Sequence, residues 1–260
     1  MRQPCFRLVK WYADCVADDG AVFIGYAARA RLGPLALPYR SATVSHPDGR
    51  TAATFTLRGG QTPLAEDRRL TWCAPRLRVD GNWNATAPPF HRRLYQTDRC
   101  LVDWRCHVPA ARATVQVADE TMIGEGYVEE LLVAGDPRRL PIRELWWGRF
   151  SGGGQHLVWI VWRGPHPLAL VLHGGREHRD GHVSADGVAF AGGRLAYEAT
   201  RTLRAGLIGQ TFLAAHPGIA RLVPRELDLH VEQRLSRARL EKPGGAVATG
   251  WAIHEVVRWP

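Results

Sequence analysis

The group best suited to chemistry in this sequence is a carboxyl held among aromatic rings, and Glu129 is the candidate. In the strand-like run Gly124 to Val133, alternation puts Glu125, Tyr127, Glu129 and Leu131 on one face. In Leu101 to His107 it puts Val102, Trp104 and Cys106 together. If both faces look inward, Glu129 sits between Tyr127 and Trp104. Burial there penalises the charged form, so the expectation is a protonated Glu129 acting as a general acid. Aromatic faces around it would stabilise a developing carbocation. A plainer role stays open: buried acids are usually paired, and Arg149 or Arg143 would serve as a structural partner.

The run Pro141 to Phe150 supplies further candidates. Trp146 and Trp147 point to opposite faces, so only one of them can line a cavity. Leu145, Trp147 and Arg149 share a face, where Arg149 would bind a substrate carbonyl or hold Glu129. Trp83, with Phe90 and Tyr95, lies in the stretch Asn82 to Gln96, which contains Pro88-Pro89 and reads as a loop tucked over the site. A cavity wall needs two or three of the ten Trp, and the rest are core. Motifs for other chemistries are missing from the sequence. The run Gly152-Gly153-Gly154 reads as a hairpin turn and not as a phosphate cradle at a helix start. The histidines lack zinc-ligand spacing. Leu172-His173-Gly174-Gly175 has no Gly-x-Ser-x-Gly elbow to work with. No metal and no cofactor is expected.

These residues must be positioned by strands. The chain has 27 Gly and 17 Pro, and short apolar runs separated by turn signals recur along it. Asp18-Asp19-Gly20, Pro47-Asp48-Gly49 and Asp80-Gly81-Asn82 are the clearest turns. Spacings of this kind predict an all-β fold of two antiparallel barrel lobes packed together, with few short helices. The polar stretch Gly174 to Gly181 suggests a boundary, giving lobes 1–172 and 173–260. Helical periodicity is confined to Ile219 to Leu240, interrupted by Pro224, and Gly244 to Trp259 reads as an edge strand pair. Gly124 to Glu130 and Ala248 to Glu255 echo one another faintly, each with Gly, an aromatic and an acid.

The net charge of +9 comes almost wholly from scattered Arg, with Lys only at Lys10 and Lys242. A nucleic-acid binder would gather that charge into a stripe, so no nucleic acid is expected as a partner. Five cysteines without CxxC spacing fit reduced thiols in a cytoplasm. The first residues lack an apolar signal region, and no apolar run is long enough for a spanning helix. The expected partner is a small hydrophobic substrate; peripheral membrane contact and a homodimer are compatible with the sequence.

Lys10-Trp11-Tyr12, Trp104 with Pro109, Gly126-Tyr127-x-Glu129 and Trp147-Gly148-Arg149 together resemble the lipocalin-like superfamily of carotenoid hydratases, tocopherol cyclases and AttH-type proteins. Fungal Diels–Alderases share its fold. In the hydratases a His-x-Trp is followed by a Tyr-x-Asp whose acid protonates an alkene. By position Trp104, Tyr127 and Glu129 take those places, while the histidine falls on Val102. The resemblance implies a pair of lipocalin-like barrels and cofactor-free chemistry on a polyene, terpenoid or polyketide-like molecule. The residues then suggest a cyclase or isomerase with Glu129 and Tyr127 as catalytic groups. Trp104, Trp147, Arg149, Trp146 and Trp83 would bind the substrate. A hydratase and a non-catalytic lipid or isoprenoid carrier are the alternatives.

Overall fold

The computed structural model describes residues 6–136, 139–208 and 229–259, and most of them are strand. Two compact units divide the chain, Met1–Pro137 and Arg138–Pro260. The first holds β1 (Phe6–Val16), β2 (Val22–Leu32), β3 (Leu35–Ser45), β4 (Thr51–Thr56), β5 (Leu64–Glu66), β6 (Arg69–Ala74), β7 (Val79–Ala85), β8 (Phe90–Gln96), β9 (Cys100–Val117) and β10 (Glu120–Gly135). They form one antiparallel sheet in the order β4-β3-β2-β1-β10-β9-β7-β6-β5, with β8 also paired to β9.

The second holds β11 (Glu144–Gly152), β12 (Gln155–Arg163), β13 (Leu168–His173), β14 (Arg176–His178), β15 (His182–Ser184), β16 (Gly187–Phe190), β17 (Gly193–Leu207), β18 (His230–Glu241) and β19 (Val247–Arg258). Its order is β14-β13-β12-β11-β19-β18-β17-β16-β15. Both sheets follow one rule. Four strands meander outward, the first of them pairs with the last strand of the unit, and the remaining strands run back from there. The faint echo between Gly124–Glu130 and Ala248–Glu255 falls on β10 and β19, which occupy the same place in the two sheets.

Alternation along these strands separates two faces. In β1, Trp11, Ala13 and Cys15 enter an apolar core with Phe23, Trp72, Trp83, Val115 and Val128. Trp72 and Trp83 are fully buried. Each removes on the order of 200 Å² from water, roughly 5 kcal/mol at 25 cal/mol per Å². Glycines make room for these rings: a side chain at Gly81 would collide with Trp83, and one at Gly126 would meet both Trp83 and Ala113. The core of the second sheet gathers Phe150, Leu157, Trp159, Val171, Leu195, Ala238 and Ala252.

Several expectations change. The chain divides at Pro137/Arg138, whereas the composition break suggested 172/173. Gly174 and Gly175, at φ +55° and +77°, form the β13–β14 hairpin inside the second sheet. Asp80-Gly81-Asn82 lies within β7; the turn before it is a short 3-10 segment, Pro75–Leu77, ended by Arg78 at φ 55°. Gly81 is there for the close approach of Trp83, a use of glycine in strands that mimics a turn signal. The stretch 82–96 is no lid, because all but Thr86 to Pro89 belongs to β7 and β8. The helical pattern at 219–240 falls partly outside the described residues, and its remainder, His230–Glu241, is the regular strand β18. Gly244 to Trp259 is not an edge, since β19 pairs with β11 on one side and β18 on the other.

Strand β9 is long enough to serve two neighbours. Its first half pairs with β8 and its second with β7, and the register with β10 shifts where Pro109 interrupts the ladder. A proline has no N–H to offer a neighbouring strand, so a bulge is the place for it. Overpacking at the tight β10 glycine gives a direct check on this core. Gly126→Ala would bring a Cβ to 2.5 Å from Trp83 Cδ1 and 2.6 Å from the Ala113 Cβ. It is expected to destabilise the protein by about 1–3 kcal/mol, read as a lower urea midpoint with an unchanged slope. An unchanged midpoint would contradict the packing.

Candidate active site

The face of the first sheet opposite its core carries the polar groups. Antiparallel pairing of β1 with β10 sets Tyr12 opposite Glu129 and Asp14 opposite Tyr127. Pairing of β10 with β9 sets Glu129 opposite Cys106 and Leu131 opposite Trp104. All of these except Leu131 are buried.

Two donors converge on one carboxyl oxygen. Trp104 Nε1–H donates to Glu129 Oε2 at 2.6 Å, and the Tyr127 hydroxyl donates to the same oxygen at 2.7 Å. Both distances are in the range of hydrogen bonds strengthened by a charged acceptor. A second pair repeats the pattern: the Tyr12 hydroxyl donates to Asp14 Oδ2 at 2.9 Å. In each case a tyrosine clamps the acid two residues further along its own strand face.

Aromatic rings enclose the network. Tyr12 lies edge-on to Tyr26 at 5.4 Å between ring centres and tilted against Tyr127 at 6.0 Å, and Phe90 lies 5.8 Å from Trp104. Burial pushes the Tyr127 hydroxyl well above its usual range, and the charges around Cys106 and Glu129 add to this, so Tyr127 stays a neutral donor. Burial likewise pushes the Cys106 thiol far up, and Glu129 and Asp14 both act on it in the same direction; it stays an –SH. On the other face of β9, Asp103 lies among His91 at 2.9 Å, Arg105 at 3.7 Å and Arg93 at 3.8 Å, the paired pattern usual for a buried acid.

The structure thus brings together Trp104, Tyr127 and Glu129. It adds Tyr12, Asp14 and Tyr26, which sequence reasoning did not place at the site, and Cys106, which alternation had put on the face of Trp104 without a role. The signal for Asp14 was present as Tyr12-x-Asp14, a counterpart of Tyr127-x-Glu129, but only the pairing of β1 with β10 joins them. Trp83 is placed elsewhere. It is a core residue on the opposite face, and its Nε1–H donates to the backbone carbonyl of Asp14 at 2.7 Å. Its indole therefore supports the strand that carries Asp14.

Trp146, Trp147 and Arg149 belong to β11 of the second unit. Trp146 packs at the margin of the second core, with the Arg163 guanidinium 5.5 Å over its ring. Trp147 and Arg149 point to the other face, opposite Glu255 and Ile253 in register, and both are buried. Gln233 donates to Glu255 Oε2 at 3.2 Å on the neighbouring strands.

A polar chain also lies in the second unit, where sequence reasoning placed nothing. Thr200 Oγ1 and Ser236 Oγ are 2.7 Å apart, Ser236 Oγ and His254 Nε2 are 2.8 Å apart, and Tyr197 stacks on His254 at 4.2 Å. Burial, aided by Arg234, pushes His254 down to about 4. Above about pH 6.5 the imidazole is neutral in folded and unfolded chains alike. As pH falls below that, the unfolded chain takes up a proton that the folded one refuses, so stability declines until about pH 4. The expected slope from this residue is about 1.4 kcal/mol per unit, near 2 kcal/mol between pH 6.5 and 5. Urea unfolding across this range should show a shallower decline in His254→Gln than in the parent, and equal slopes would contradict the assignment.

Among the described residues, no group of His, Cys, Asp and Glu could hold a metal ion, and no helix is long and apolar enough to cross a membrane. No protein-family model matches the chain, and no curated protein matches it in sequence. Solved structures do match. Kievitone hydratase from Nectria haematococca superposes with a TM-score of 0.54 at 10% identity, covering 96% of this chain and 88% of its own. CghA gives 0.58 at 13% identity, covering 97% and 88%. A Nitrosomonas europaea protein described as an AttH gives 0.53 at 10% identity, covering 96% and 92%. The chain adopts the fold of kievitone hydratase, CghA and this Nitrosomonas europaea protein.

Proposed function

We propose that the protein is a cofactor-free isomerase or cyclase of a hydrophobic terpenoid, polyene or polyketide-like molecule, with Glu129 as its proton-transferring group. The observation that supports this most is the convergence of Trp104 Nε1 and the Tyr127 hydroxyl on one oxygen of a buried carboxyl. In this reading the two hydrogen bonds hold the rotamer of Glu129, the proton-transferring group. Tyr127 and Trp104 hold the acid, and the rings of Trp104, Tyr12, Tyr26 and Phe90 offer apolar walls. Among proteins of this fold one is a hydratase by name, and CghA has been crystallised with the small molecule Sch210972. Both are consistent with small-molecule chemistry on this scaffold.

The test uses whatever apolar ligand accompanies the freshly purified protein. Native mass spectrometry followed by chromatography compares the parent with Glu129→Gln, which keeps the size of the side chain and its acceptor oxygen. The reading predicts that both bind ligand, that the two ligands share an elemental composition, and that they differ in retention. It also predicts conversion slowed on the order of 10²-fold or more in the variant. Ligands differing by one water would favour a hydratase. The same ligand in both proteins, unconverted, would make the protein a carrier and remove Glu129 from the chemistry.

A further inference from the structure

The end of the β2–β3 hairpin stands clear of the next strand. β3 pairs with β4 only from Arg40 onward, so Leu35–Tyr39 has β2 on one side and no described strand on the other. There Leu32, Leu35 and Leu37 are 52%, 71% and 40% exposed. The register puts all three on one face, Leu32 opposite Leu35 and Leu37 opposite Ala30. Among the described residues, the other large apolar side chains exposed to this degree are Leu64, Ile123 and Val247, which lie on three separate hairpins. Exposed apolar residues scattered singly need no account, but three at one tip form a contact surface. The same end is basic. Arg29 and Arg31 alternate with the apolar residues of β2, and Arg7 of β1 lies opposite Arg31; all three are exposed. No Asp or Glu occurs from Gly20 to Pro47. The acids at this end of the sheet, Asp98 and Asp136, flank β9 and β10, two or more strands from the hairpin.

We propose that this hairpin end docks the protein on an anionic lipid bilayer, with Leu32, Leu35 and Leu37 entering the hydrocarbon and Arg7, Arg29 and Arg31 meeting the headgroups. Leu32 and Leu35 close the hairpin, and the arginines lie one to three residues behind them. Insertion to the usual interfacial depth of about 5–10 Å therefore brings the guanidinium groups to the level of the phosphates. Their long side chains reach that level from the face opposite the leucines. A second copy of the chain suits the tip less well. Three leucines cannot supply the roughly 800 Å² per partner that a stable interface buries. Pro38, opposite Arg29, also has no N–H to offer an added strand. The leucine face is moreover the face of Glu129. From Tyr12 and Glu129 towards the tip, β1 and β10 place Lys10 by Leu131, Leu8 by Val133 and Phe6 by Gly135. β2 extends these rows with Ala28, Ala30 and Leu32. Three rows span roughly 20 Å. Lys10, with its ammonium 5.9 Å over the Tyr26 ring, is the one charged side chain among these residues. An apolar molecule dissolved in the bilayer thus meets an almost uncharged path towards Glu129, though docking itself stands apart from the role proposed for that acid.

Co-sedimentation of the full chain with vesicles tests this. Vesicles of phosphatidylcholine mixed with phosphatidylserine should bind the parent at least tenfold more tightly than phosphatidylcholine alone. Arg29→Gln and Arg31→Gln should each weaken binding to the anionic vesicles roughly fivefold, which corresponds to about 1 kcal/mol for a basic residue near such a surface. The combined variant Leu32→Gln/Leu35→Gln/Leu37→Gln should lose at least tenfold on the same vesicles while keeping the urea midpoint of the parent. A parent that ignores anionic vesicles would overturn the proposal, and so would full binding in the leucine variant. A parent dimer in sedimentation velocity that the leucine variant dissociates, with no binding to vesicles, would overturn it in favour of a contact between copies. Should the leucine variant not fold, hydrogen exchange of the parent supplies the answer. Amides of Leu32–Tyr39 are expected to exchange more slowly with anionic vesicles present, and unchanged exchange there would overturn the proposal. None of these outcomes bears on proton transfer by Glu129.

Discussion

Pairing of the first strand of the chain with the last strand of its sheet is the constraint on which the candidate site depends. Once β1 and β10 are in register, every odd residue from Trp11 to Cys15 enters the core, and Tyr12 and Asp14 meet Glu129 and Tyr127 on the other side. Because side chains alternate with a period of two, a slip of β1 by one residue would send Trp11 outward and the Asp14 carboxyl into the apolar core. The core therefore specifies the register, and the register assembles the polar face. Trp83 ties the two sides together, filling the core while its indole N–H holds the backbone of Asp14.

The same economy operates on the neighbouring strand. Pro109 sits where β9 changes partner from β8 to β7, and the resulting bulge lets the two halves of β9 follow different neighbours. Cys106 and Trp104 lie on the β8 side of that break, in step with Glu129 and Leu131. Trp104 thus reaches Glu129 from one adjoining strand while the β1 acid approaches from the other. The second sheet repeats the strand order with different residues at equivalent places, buried Arg149 and Trp147 on the strand corresponding to β1. Its polar chain through Ser236 and His254 is a local solution of that sheet.

Much of this was legible in the sequence, for local reasons. Gly124 to Val133 and Leu101 to His107 are regular strands, so simple alternation set Tyr127, Glu129, Trp104 and Cys106 on their proper faces. The hairpins at Asp18-Asp19-Gly20 and Pro47-Asp48-Gly49 follow from turn chemistry that needs no tertiary context. What was hidden is non-local. Tyr12 and Asp14 stand in a run that reads as an ordinary hairpin strand, and nothing within it indicates that its other neighbour is β10. Trp83 was misplaced because Gly81, needed for the approach of its ring, imitates a turn, and because Pro88-Pro89 imitates a long loop. The lobe boundary was misplaced for a similar reason: Gly174-Gly175 is a tight hairpin, while the chain leaves one sheet for the other between Gly135 and Glu144, a run with its own Gly, Asp and two Pro.

The central claim is that ligand is received on the Glu129 face of the first sheet and not in its tryptophan core. Fluorine NMR of protein labelled with 5-fluorotryptophan, titrated with farnesol as an apolar probe, separates these two sides directly. The resonance of Trp104, assigned by Trp104→Phe, should shift as farnesol binds, while those of Trp72 and Trp83 on the opposite face stay in place. Movement of Trp72 and Trp83 with Trp104 unmoved would contradict the account.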